Sequence, residues 1–213
     1  MSKNILKSLF IILAVLAASV GATGSYFSDE VRISGNQFST GYWSNVVINE
    51  VYYDVDARTY PHGDGVKTEE EGKNEWIELY NPNNFAVDIK DYKIGNSSRE
   101  FTINPNVSIP AHGFALLSHD NDTWHFWGDP SVLTINLGGS VGAGWLKNNG
   151  DYVYLKDKAD NIIDDMSYGI NTTAFSPSCP NVSVGHSLER SPDGKDTNSA
   201  SDFVDRVSPT PGY

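Results

Sequence analysis

Three glutamates stand in or beside runs of alternating residues: Glu50 in VINEVYY, and Glu75 and Glu78 in NEWIELY. Paired carboxylates perform general acid–base chemistry when their surroundings separate their pKa values. A strand carboxylate that faces a core has another use. It requires a partner there, because an unpaired buried charge is costly. Arg190, in HSLER, is the cation assigned to Glu50 and Glu78 as a partly buried structural ion pair. Strand placement favours that role over catalysis.

A second acidic group comprises Asp54, Asp56, Asp64 and Glu69 to Glu71, in a polar stretch from 54 to 73. Calcium takes six to eight oxygens, which clustered carboxylates and backbone carbonyls can supply. The ordered spacing of an EF-hand is missing, so two readings stand, a solvated acidic loop or a calcium site. Calcium is the one cofactor these residues suit. The aromatic stretch NDTWHFWG places Trp124, Phe126 and Trp127 on a loop. Such rings either stack on sugars and anchor partners or cover the end of a core.

Other reactive types lack the spacing that chemistry needs. His62, His112, His119, His125 and His186 include no His-x-x-x-His pair. Cys179 is the single cysteine, so it closes no intrachain disulfide and makes no thiolate zinc site alone. Neither a Gly-x-Ser-x-Gly elbow nor a phosphate loop occurs. The net charge of −12 repels nucleic-acid phosphates.

The elements that must position these residues are β. Val46 to Tyr53 is rich in β-branched and aromatic residues. In 75–80, Trp76, Glu78 and Tyr80 share one face, and Glu75, Ile77 and Leu79 the other, the period of a strand with one buried face. Asn81-Pro82-Asn83-Asn84 then reads as a tight turn into Phe85–Ile89, closing a hairpin. Short runs follow at 91–95, 101–103, 107–109 and 132–135, and the apolar FALLS at 114–118 reads as central. Residues 151–168 form a second hairpin with Val153 and Leu155 inward. Strands at short spacing, punctuated by Gly, Pro and Asn, predict an antiparallel sandwich.

The N-terminal 24 residues differ. Lys3 and Lys7 precede an apolar run from Leu9 to Val20 and a small-residue exit, the pattern of a secretory signal peptide read here as a hydrophobic signal helix. The run is short for a membrane span. An uncleaved anchor is the competing reading, and the only route to a membrane. Residues 25–43 read as a spacer or donor-strand segment, and 44–213 as the folded domain.

The motif order resembles the lamin tail domain family. The carrying residues are Val47 to Val51, Glu75 to Pro82, Ile109 to Phe114, Asn149 to Leu155 and Asp164 to Tyr168. Ser187 to Arg190, Asp196-Thr197, Asp202-Phe203 and Thr210 to Gly212 continue the likeness. The resemblance implies an immunoglobulin-like β-sandwich without catalytic residues, of the secreted prokaryotic type. Tyr26 to Asp29, Asn36, Phe38 and Gly41 resemble the processing segment of camelysin-like and biofilm matrix fibre proteins. That likeness implies an N-terminal strand donated to a neighbouring subunit.

The expectation is therefore a secreted or cell-surface, non-enzymatic module for adhesion or extracellular assembly, with surface proteins, glycans or its own copies as partners and no nucleic acid. A calcium-dependent ligand or carbohydrate binder is the alternative, and a hydrolase a remote third. Mass spectrometry of the exported chain is expected to find its N-terminus between Ala22 and Ser25. A chain that retains Met1 would establish the anchor instead.

Overall fold

The computed structural model describes residues 45–56, 74–119, 123–124, 127, 130–138 and 145–213. The leader and the 25–43 segment lie outside the described residues.

Among the described residues the strands are β1 Val47–Tyr52, β2 Trp76–Tyr80, β3 Val87–Asp88, β4 Lys93–Asn96, β5 Glu100–Thr102, β6 Ser108–Ile109, β7 Phe114–Ser118, β8 Leu133–Asn136, β9 Tyr152–Lys156, β10 Ile162–Ser167, β11 Ser187–Arg190 and β12 Phe203–Arg206. A 3-10 turn, Ala200–Asp202, leads into β12. One sheet runs β12-β11-β1-β2-β7-β8, a second β10-β9-β4-β5, and β3 pairs with β6. Pairing is antiparallel except that β7 and β8 run parallel, a departure from the expected all-antiparallel pattern.

The two larger sheets contribute apolar side chains to one core. Ile48, Val51, Ile77, Leu79, Ala115 and Leu117 come from the six-stranded sheet, and Ile94, Phe101, Val153, Leu155 and Met166 from the four-stranded one. Each fully buried Ile or Leu contributes roughly 1.5–3 kcal/mol. The chain is an all-β sandwich of the immunoglobulin-like kind, with β7 inside its sheet as its apolar sequence requires.

Two local expectations need correction. β2 is buried on both faces, because Trp76 and Glu78 are as sheltered as Ile77 and Leu79. The expected hairpin across Asn81 does not form either. β2 pairs with β1 and β7, while the following run supplies β3, which pairs with β6. Asn81 makes a corner instead of a hairpin turn. Its side-chain amide lies 2.8 Å from the Phe85 carbonyl, 3.0 Å from that of Ile109 and 2.9 Å from that of Pro110. Its carbonyl oxygen accepts from the Asn83 N–H at 3.0 Å. The 151–168 hairpin does form, as β9 and β10, with Val153 and Leu155 buried. Asp157 closes its turn by accepting from the N–H groups of Ala159 and Asn161.

The two larger sheets are joined by a buried ion pair. Both β1 and β10 carry a register shift, between Ile48 and Glu50 and between Ile162 and Asp164. Asp164 of β10 accepts the Ile48 N–H at 2.6 Å, and Arg190 Nε of β11 donates to the Ile48 carbonyl at 2.8 Å. Arg190 Nη2 then meets both Asp164 oxygens, at 2.9 and 3.1 Å. Asp196 and Asp202 lie 3.4 and 3.6 Å from Nη1, and the guanidinium sits 4.6 Å from the Phe203 ring centroid. The partner of Arg190 is thus Asp164, in place of the expected Glu50 or Glu78. The reason is geometric: Arg190 stands on the core side of β11, whereas both glutamates stand on the opposite side of the sheet.

Removing one member of a buried pair leaves the other charged and unpartnered. Asp164→Ala is expected to lower unfolding free energy by about 3–5 kcal/mol in urea titrations. A loss below about 1 kcal/mol, the range of exposed pairs, would show that Asp164 does not hold the sheets together.

Candidate functional site

The face of the six-stranded sheet turned away from the main core carries an unusual mixture. Register sets Glu50 opposite Glu189 on β11 and opposite Glu78 on β2, so three acids cross three adjacent strands. All three are buried. Beside them, Tyr52 stands opposite Trp76 and Glu78 opposite Leu116. Tyr52, Val55, Trp76, Leu116 and Trp124 form a second apolar cluster, with Trp127 and Val132 packed against it.

Each acid has its own solution. Glu189 is paired with Arg206, whose Nη2 lies 3.0 Å from Oε1. Glu50 accepts from the Ser187 hydroxyl and, at 3.2 Å, from the Thr210 N–H. Glu78 accepts from Asn49 Nδ2 at 2.9 Å and from the Gly212 N–H at 2.6 Å. Thr210 and Gly212 belong to the C-terminal segment, which crosses this face and buries Pro211. Burial pushes Glu50 up to about 7 and Glu78 up to about 8, outweighing the hydrogen bonds that pull both down. Neighbouring Glu50 and Asp193 raise Glu78 further.

A cleft of about 380 Å³ opens at one end of this layer, between Tyr52, Asp56 and Trp127, the turn 184–186 and residues 207–209. Tyr52 and Trp127 meet edge to face at 5.5 Å, and Tyr52 stacks on Trp76 at 5.6 Å. His186 Nδ1 lies 2.8 Å from Asp205. Gly185, at φ +84°, donates to the Asp54 carbonyl at 2.7 Å, and a Cβ there would stand 3.1 Å from that of Asp56. The left-handed glycine is what lets the turn approach Asp56 so closely.

The candidate residues separate accordingly. Trp124 is buried in the second cluster, Trp127 lines the cleft, and Phe126 lies outside the described residues. Asp56 lines the cleft, Asp54 accepts from Asn148 at 3.1 Å, and Asp64 and Glu69 lie outside the described residues. Among the described residues no three His, Cys, Asp or Glu converge to hold a metal ion. Cys179 is buried, and that burial pushes its thiol up to about 12. Sequence reading missed His186, Gly185 and the 207–209 wall, which only the return of the C-terminal chain brings beside Tyr52.

Comparison with family models matches residues 41–170 to the Lamin Tail Domain. The chain belongs to the lamin tail domain family. A search of curated proteins finds no match. The family match ends shortly after β10, so β11, β12 and the strap-like C-terminus of this lamin tail domain lie beyond it. They nevertheless complete the six-stranded sheet and cover its acidic row.

The pH dependence follows from the buried glutamates. A carboxyl raised in the folded chain binds its proton more tightly there than in the unfolded chain. Its contribution is most favourable below its ordinary value of 4.5, falls as pH rises, and levels off above about 8. Chemical denaturation of the parent and of Glu78→Gln is expected to show the parent losing more stability than the variant between pH 5 and 8. Parallel pH profiles would mean that Glu78 titrates normally.

Proposed function

We propose that this lamin tail domain is a non-catalytic binding module that works outside the cell, in surface adhesion or extracellular assembly. The observation that carries the reading is the cleft in which Tyr52 and Trp127 meet Asp56 and His186. Aromatic walls beside a few polar groups suit a sugar ring, whose C–H face packs on the rings while its hydroxyls bond to the rim. The buried carboxylates are enclosed by neighbouring strands and the C-terminal segment, so they serve the fold and not an open reaction site. The net charge of −12 argues for neutral or cationic surfaces over nucleic acid.

Assembly is the second mode. Strands β12 and β8 end one sheet and β10 and β5 the other. Sheet edges of this kind accept an added strand, and residues 25–43 are the segment suited to supply one in a neighbouring copy. Electron microscopy of the mature chain separates the modes, since fibres favour strand donation and persistent monomers favour ligand binding.

For the cleft, a glycan array followed by fluorescence titration of the best binder is expected to show binding that Trp127→Ala weakens at least tenfold. Equal binding by parent and variant would remove the cleft from the function. Binding abolished by a chelator and restored by calcium would favour the calcium-dependent alternative.

A further inference from the structure

The C-terminal residues 207–213 do two things at once. Val207, Ser208 and Pro209 form one wall of the cleft. The next four residues lie across Glu50 and Glu78, bonded through the N–H groups of Thr210 and Gly212. Gly212 holds φ +86°, and a Cβ there would stand 2.9 Å from Val132 Cγ2, so the segment is seated closely on the outer layer. Its terminal residue, Tyr213, is exposed.

We propose that residues 208–213 are a latch over Glu50 and Glu78, which opens when those carboxyls ionise and so removes one wall of the cleft. The argument is geometric. The two acids stand directly opposite each other on neighbouring strands, where like charges repel. Glu189 and Asp193 add negative charge from either side, and Arg206, the cation that acts on Glu50, is already paired with Glu189. The segment itself offers only neutral donors. Its two N–H bonds favour the ionised acids, but burial outweighs them, as the raised values near 7 and 8 show. Lifting the segment would let water reach both carboxylates, so ionisation and opening are linked. Closure is favoured below neutrality and opening above it.

Regulation of the cleft rests on the binding function proposed above, whereas the latch can be tested without any ligand. Because Cys179 is buried, a fluorophore on Tyr213→Cys labels one site in the full chain. Its anisotropy is expected to stay high at pH 5–6 and to fall with a midpoint between 7 and 8. Adding Glu50→Gln and Glu78→Gln should keep it high throughout. If the double variant does not fold, Glu78→Gln alone must shift the midpoint. An unchanging signal in the labelled parent, or the same fall in the glutamine variants, would overturn the latch. A pH-dependent latch with no glycan binding at any pH would remove the cleft function and leave the latch standing.

Discussion

Arg190 holds the sandwich together at the point where its two sheets meet. Its guanidinium is fully buried, and that is tolerable only because every direction it presents is answered. Asp164 answers from β10, the Ile48 carbonyl from β1, the Lys195 carbonyl and Asp196 from the following turn, and the Phe203 ring from β12. The same contacts satisfy the Ile48 N–H and carbonyl, at the register shift beside β2. A buried pair of this kind adds little net stability over well-packed apolar residues, but it strongly disfavours arrangements in which the charges separate. Register and sheet order are thereby tied to one side chain.

That constraint explains why strand glutamates can occupy the other side of the same sheet. Arg190 turns inward, so Glu50 and Glu78 face an outer layer built from aromatic rings and the C-terminal segment. The layer shelters Trp76 and Leu116, and it shelters the acids as well. Desolvated carboxyls hydrogen-bonded to neutral donors stay protonated well above their usual range. Strands β1 and β2 are thus buried on both sides, and Tyr52 and Trp127 border the cleft at one end of that layer.

Much of the fold was legible from side-chain period. VINEVYY, FALLS and DYVYLK carry β-branched, aromatic or apolar residues in patterns that strands require, and each forms one. Asp157 to Asn161 has the turn chemistry that closes a hairpin. The segment around Asn81 misled because alternation on both sides of a turn resembles a hairpin whatever the strands pair with. Nothing local distinguishes pairing with the next strand from pairing with β7. The site was less legible still. Trp127 and Asp56 were visible as types, but Trp124 beside them is buried, a difference that depends on how the loop lies against Trp76.

By itself the sequence determined the class of fold, the positions of most strands and the presence of carboxylates that must be dealt with inside it. Those depend on local propensity and on alternation, which act over a few residues. The partner of Arg190, the acidic row across β11, β1 and β2, and the wall of the cleft were decided only in three dimensions. The acidic row and the cleft wall join residues more than a hundred positions apart or depend on strand register, and the Arg190 pair depends on how the two sheets stack. All are outcomes of burying the whole core at once, and no short stretch of chain encodes them.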